Sequence, residues 1–425
     1  MGTLGEMFIM KKFEKLITPF NVFVFVNVIG FLMYAVYSVI AGGIASDWLL
    51  MENTDLDFCD FSMHLNFIAD KENLYVRARD YEGCFPPLSY TMYFFFYRVL
   101  QRPGFTPNSV SDVAHMPYFH LTVLYYSLIS IMLFDYGIYM YGEKEKRKNL
   151  ILFLCFIFSV PFMAGAIFVA NSTFLVMIFL LIALKLRKSD TAYKKELALV
   201  LIALCAGFKI YPAVFGILYL LEKRYKEAIR LTIYGILFFF VPFTFFGGTN
   251  GFKHWLGNVM NTLVLDRYGR IQSIRGLLYS VMQHQGIQGG ELILKLAPIV
   301  FVLVMLLLVC ITKSEFRRLF FICAIMVFFP NNAYRYTLCY FAIPIITYFL
   351  DTDGEESSSN VIMCVEMFVY SMVFAIPVVF GILTGFELTF PYYTLTYVEI
   401  YIYIWAYILL AFITIHELVV KLKNQ

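Results

Sequence analysis

Charge is scarce in this chain. Only 15% of its 425 residues are Asp, Glu, Lys or Arg, whereas 60% are hydrophobic, and the mean hydropathy is +0.73. That balance excludes a soluble globule of this length. The 33 basic and 30 acidic residues leave a net charge of +3, spread along the chain, so no basic patch for nucleic acid forms. Polar stretches long enough for a separate soluble domain are also missing. Cysteine is sparse, and six of the eight (Cys155, Cys205, Cys310, Cys323, Cys339 and Cys364) fall inside apolar segments, where they read as small buried hydrophobes. Cys59 and Cys84 share one loop, and the sequence leaves open whether they pair in an oxidising compartment.

What fills the chain is apolar segments near the ~20 residues that cross a bilayer. They are expected near 19–43, 115–141, 149–168, 171–186, 196–208, 211–222, 229–246, 292–312, 318–330, 334–350, 361–384 and 396–418. Several fall short of a full crossing and are expected to be broken or to lean on neighbours. The fold class is therefore an all-α polytopic membrane protein of about twelve spans, one integral domain over residues 1–425. Aromatics reach 19%, as interfacial belts demand. The first apolar run is too long for a signal peptide and reads as a retained span.

Placing both termini in the cytoplasm puts twenty-one of the 33 Lys and Arg residues on that side, although the two long loops, 44–114 and 247–291, lie opposite. The active face is then extracytoplasmic, in a multi-pass cell-membrane protein. Pro86–Tyr97 is apolar but stops after about a dozen residues at Arg98; it reads as a juxtamembrane or re-entrant helix that its prolines help to start.

With this topology the unusual polar residues gather on the outer face. Asp60 and His64 share a helix face at i, i+4 spacing. Asn171 and Thr173 mark one outer turn, Lys209-Ile-Tyr211-Pro212 breaks an apolar run, Gln272, Ser273 and Arg275 sit in the second loop, and Pro330-Asn331-Asn332 leads to Arg335 and Tyr336. Each has a plainer reading: a solvated carboxylate, a snorkelling lysine, a helix-capping asparagine, a packed histidine. Asp55 and Asp57 offer oxygen ligands to a divalent cation, a weak signal, and no metal or other cofactor is assigned.

Asp60-Phe-x-x-His64-x-Asn66, followed by Phe85-Pro86-Pro87-Leu88, resembles the first-loop motif of the GT-C membrane glycosyltransferases, in particular the dolichyl-phosphate-glucose-dependent glucosyltransferases. Lys209-x-x-Pro212, the Asn171 turn and Gln272-Ser273-Ile-Arg275-Gly276 are similar to the bacterial family-87 members, which include polyprenyl-phosphate-mannose-dependent mannosyltransferases. Ala170 stands where those members carry Gly-Gln before the asparagine, and Ile271 where Asn is common. The resemblance implies a polyprenyl-phosphate-linked sugar donor and a glycan or glycolipid acceptor, as in cell-envelope glycan assembly. It implies Asp60 as the catalytic base and His64, Asn171, Lys209, Gln272, Ser273, Arg275, Arg335 and Tyr336 as substrate-binding residues, with Lys209, Arg335 and either Arg275 or Arg270 set against the leaving phosphate. Two other classes fit a multispan chain: a transporter or flippase of lipid-linked saccharides, and an O-antigen-type polymerase. No repeat relates the two halves, and the polar residues favour one face over the midplane, which speaks against transport. The topology has a direct check. Asn108→Cys is expected to react with a membrane-impermeant thiol reagent applied to the outside of intact cells; reaction only after permeabilisation inverts the orientation.

Overall fold

The structure, a computed structural model, describes residues 17–41, 58–78, 83–100, 107, 109–163, 169–261, 273–287, 289–331, 333–351, 363–368 and 370–371, with Phe412, Ile415, His416 and Val419. Asp55, Asp57, Asn108, Arg270, Ile271, Gln272 and Asn332 lie outside those residues, as does most of the last two expected spans. The described residues are helical, without strands. Among the described residues four helices are long and apolar enough to cross a membrane: Pro19–Ile40, Phe119–Tyr141, Tyr225–Phe245 and Glu291–Ile311. Tyr211–Leu221 and Tyr336–Leu350 are shorter apolar helices.

The other apolar helices among the described residues are shorter, and two of them, Ser172–Arg187 and Glu315–Phe328, are largely buried. Ser172–Arg187 has 16 residues and rises about 24 Å, less than a hydrocarbon core. It is nevertheless almost wholly enclosed, with Val176, Met177, Leu180, Leu181 and Ala183 at its core. Neighbouring helices therefore cover what a lone short helix would expose.

Chain direction gives the bundle two chemically distinct ends. Ser172–Arg187 runs from Asn171 to Arg187, and Ala192–Phe208 returns to Lys209. The Tyr211–Leu221 segment then runs back to Glu222, Glu315–Phe328 comes up, and Arg335–Leu350 goes down to Asp351. At one end ion pairs tie these elements together. Arg187 joins Glu222 and reaches Glu315 at 3.4 Å; Lys188 reaches Glu315 at 2.6 Å, and Lys185 reaches Asp351 at 2.6 Å. At the opposite end stand Asn171, Lys209 and Tyr336. Polar clusters thus cap both ends of one apolar core.

The two long loops hold helices among the described residues. The first holds helices Cys59–Ile68, Leu74–Arg77, Pro87–Leu100 and Val110–Ala114; the second holds Gly248–Asn261 and Ile274–His284. Pro87 opens its helix because a first-turn residue needs no N–H partner. That helix is as expected from the sequence, but it is packed inward by Tyr90, Tyr93 and Tyr97. The two loops are clamped together: Asn258 donates to the carbonyls of Tyr75 and Ala78, each at 2.9 Å, and Trp255 donates to that of Cys84 at 3.1 Å. Gly247, at φ +77, turns the chain where a Cβ would stand 2.7 Å from the Glu72 carbonyl, so only glycine fits. No disulfide joins Cys59 and Cys84.

Buried Ser89 donates to the Phe208 carbonyl at 2.6 Å, which fastens the Pro87–Leu100 helix to the turn that presents Lys209. Ser89→Ala leaves that carbonyl without its donor. The expected cost is about 1–3 kcal/mol, read as a lower unfolding midpoint in detergent.

Candidate active site

Asp60 enters the site from the first turn of the Cys59–Ile68 helix, where the N-terminal end of the helix dipole favours a carboxylate. The residue is half-buried. Its Oδ2 accepts a hydrogen bond from Asn171 Nδ2 at 2.6 Å, and the same amide donates to the Tyr336 hydroxyl at 3.2 Å. Asn171 is itself fixed from two sides. Its Oδ1 accepts from the backbone N–H of Thr173 at 2.8 Å and from the Thr173 hydroxyl at 2.7 Å, which caps the Ser172–Arg187 helix. Its carbonyl accepts from the Tyr126 hydroxyl at 3.0 Å.

Burial raises the Asp60 carboxyl above its ordinary range; the Asn171 hydrogen bond and the positive charge of Lys209 act in the opposite direction. Lys209 follows the last residue of the Ala192–Phe208 helix with extended backbone, φ −143. Pro212 cannot supply the N–H that a continued helix needs, and a 3₁₀ helix over Tyr211–Gly216 takes over. Lys209 is only 5% exposed, and its ammonium lies 3.3 Å from the centre of the Phe85 ring. Among the described residues its Nζ makes no ion pair or hydrogen bond. Burial pushes the group down to about 7, partly opposed by the charge of Asp60. Such an ammonium is short of an anion.

His64 is 1% exposed, and its ring lies 4.5 Å from that of Phe85 and 4.6 Å from that of Tyr93, centre to centre. Among the described residues neither ring nitrogen has a hydrogen-bond partner. Burial, then the charge of Lys209, holds the imidazole well below its usual range, so it is neutral. His64 shares the Phe85 ring with Lys209 and stacks beneath the site.

The structure thus brings Asp60, Asn171 and Tyr336 into one hydrogen-bonded set with Lys209 acting on it. Ser273 is buried, and its hydroxyl accepts from Gly276 N–H at 3.0 Å at the start of the Ile274–His284 helix. Arg275 follows on that helix, half-buried. The Arg335 backbone opens the 3₁₀ helix that carries Tyr336; its side chain lies outside the described residues, as does Gln272. Among the described residues no three His, Cys, Asp or Glu side chains converge as metal ligands.

Three contributors were absent from the site as read from sequence. Phe85 carries the cation–π contact, and its place in the Phe85-Pro86-Pro87 motif was a usable signal. Tyr126 and Tyr93 carried none: one is a tyrosine inside a long apolar helix, the other a tyrosine inside an aromatic-rich one.

Comparison with known proteins gives one match. A family model described as glycosyltransferase family 87 matches residues 110–330, a stretch that includes Asn171 and Lys209 and begins after Asp60. No curated protein and no solved structure matches the chain. With more than half of its length matched, the chain belongs to glycosyltransferase family 87 and is a glycosyltransferase of membrane-associated type.

Proposed function

We propose that the chain transfers a hexose, with mannose the sugar its resemblances favour, from a polyprenyl-phosphate donor to a glycan or glycolipid acceptor. The reaction runs on the extracytoplasmic side of a cell membrane that the chain crosses about twelve times. The observation that carries the reading is a half-buried carboxylate, positioned by Asn171 and Tyr336, whose charge acts on an enclosed ammonium that makes no ion pair among the described residues.

The chemistry follows from those two groups. The Asp60 carboxylate takes the proton of the acceptor hydroxyl as its oxygen bonds to the anomeric carbon. The bond from that carbon to the phosphate oxygen breaks, and its electron pair leaves with the polyprenyl phosphate. Lys209 offsets the added negative charge, aided by Arg335 and Arg275. A single displacement inverts the anomeric centre. The enclosure that raises the Asp60 carboxyl also makes it a stronger base than a solvated aspartate.

A lipid-linked donor also has somewhere to lie. An apolar cavity of about 660 Å³ runs between the Ala192–Phe208, Tyr211–Leu221 and Tyr225–Phe240 segments, lined by Ile202, Ala206, Ala213, Gly235 and Phe239. Ile210, which also lines it, is the residue after Lys209. A Cβ added at Gly235 meets nothing within 4 Å, so space is left open along this wall. An isoprenoid chain seated there would bring its phosphate to the lysine.

Asp60→Asn keeps the size of the side chain and removes the base. Sugar transfer by the reconstituted protein is expected to fall by about 10²–10⁴-fold with donor binding retained. Turnover near that of the unaltered protein removes Asp60 as base.

The pH profile is a separate test with a fixed sign. Asp60 acts as the anion, so kcat/KM falls as pH drops through its raised pKa. Lys209 acts as the cation, so kcat/KM also falls as pH rises past about 7 in the free enzyme. Lys209→Arg, whose guanidinium stays protonated, is expected to move the alkaline limb upward and leave the acid limb in place. An alkaline limb unmoved by that change assigns it to another group.

A further inference from the structure

At the end of the bundle opposite Asp60 the structure holds a recess of about 420 Å³. Five cations line it: Arg187, Lys188, Lys195, Arg224 and Arg318. Only two carboxylates face them, Glu222 and Glu315, which leaves a surplus of three positive charges.

The internal ion pairs account for only part of that wall. Glu222 is shared by Arg187 and Arg224, the latter at 3.2 Å, and Glu315 is shared by Arg187 and Lys188. Just outside the recess Asp351 pairs with Lys185 and Lys188, and Glu227 with Arg224 at 2.7 Å. Among the described residues Lys195 and Arg318 make no ion pair; an Arg318 Nη donates to the Thr312 carbonyl at 2.8 Å. Arg187, 4% exposed, is nearly enclosed, and its Nε, like that of Arg318, donates no hydrogen bond.

A convex surface with such a surplus would be a solvated face. A recess is different, because its walls hold the cations together at a cost that only an anion removes. Position narrows the anion. The recess sits where the Ser172–Arg187 helix ends and the Glu315–Phe328 helix begins, at the same end of the bundle as Tyr141 and Ile311, the last residues of two helices long enough to cross a membrane. Basic pockets at such helix ends suit phosphate, with guanidinium giving bidentate contact and ammonium a point charge.

We propose that this recess is a phosphate site, filled by the headgroup of an anionic phospholipid from the leaflet at that end of the bundle. The assignment is independent of the catalytic reading, since none of its residues belongs to the Asp60 cluster. The double variant Lys195→Gln, Arg318→Gln removes two cations while leaving the Arg187, Lys188 and Arg224 pairs in place. Lys146→Gln, a lysine at the same end outside the recess, is the control.

Full-length protein in phosphatidylcholine nanodiscs, with and without phosphatidylglycerol, is examined by native mass spectrometry for retained lipid. Size-exclusion profiles and circular dichroism report folding. The intact protein and the control are expected to retain phosphatidylglycerol selectively, and the double variant to hold it roughly thirtyfold more weakly. A second arm titrates inorganic phosphate against thermal unfolding in phosphatidylcholine alone. Variant-sensitive stabilisation there, without retained phosphatidylglycerol, overturns the lipid as occupant in favour of a soluble phosphate. Equal retention by all three proteins, or no selectivity over phosphatidylcholine, overturns the site. Should the double variant misfold, Lys195→Gln alone is compared on the same readouts, with the same outcomes for and against.

Discussion

Asn171 serves three separate elements at once. Its Oδ1 caps the helix it begins, its Nδ2 donates to Asp60 and Tyr336, and its carbonyl receives the Tyr126 hydroxyl. The cap fixes the side chain, because Oδ1 held by the Thr173 N–H and hydroxyl leaves the Nδ2 protons one direction in which to point. The first long loop, the long Phe119–Tyr141 helix and the Arg335–Phe341 turn then converge on a single residue. Without that convergence Asp60 would be one more loop carboxylate.

A half-buried carboxylate and an enclosed ammonium are both costly in isolation, and each lowers the cost of the other only in part. The structure secures them elsewhere. The second long loop clamps the first through Asn258 and Trp255, Ser89 holds the turn before Lys209, and the ion-pair network at the far end locks the same helices from the opposite side. Backbone strain is accepted as well. Phe58, which precedes the Asp60 helix, has φ +57, and Ala170, which precedes Asn171, has φ +52. Left-handed backbone costs a residue with a Cβ on the order of 1–2 kcal/mol, and here it falls on both sides of the Asp60–Asn171 hydrogen bond.

Much of this was legible in the sequence. Apolar run lengths gave the helices at 119–141, 172–187 and 291–311 within a few residues, since hydrophobicity and helix length are both local properties. The Asp60–His64 spacing gave one helix, and Pro212 gave the break after Lys209. The role of His64 was not legible: i, i+4 spacing says that two residues share a helix, not that one ring is sealed between Phe85 and Tyr93 while the other side chain meets an amide. Nor was the charge network readable, because Lys188 and Asp351 lie far apart along the chain and meet only when the helices pack. The helices inside residues 248–284 were hidden for another reason. Their apolar residues alternate with polar ones along short amphipathic helices, so a search for long apolar runs takes them for loop.

The family match frames the division of labour within the site. It begins at residue 110 and takes in the amide that receives the acid and the lysine beside it; the acid comes from a helix that precedes the match, and Tyr336 from a turn that follows it. A site assembled this way separates two tasks. The matched helices supply a rigid receiving corner, whose geometry is set by the Asn171 cap and the Lys209 break. The first loop supplies the reactive group, and its approach is set by aromatic packing of Phe61 and His64 against Tyr93 and Phe85. Rearranging the Cys59–Ile68 helix alters what the acid faces, while the Asn171 cap and the Ser89–Phe208 hydrogen bond still hold the corner. Under the proposed function, selectivity for the acceptor would have its physical seat in the aromatic loop, and the hold on an anionic donor in the helical core.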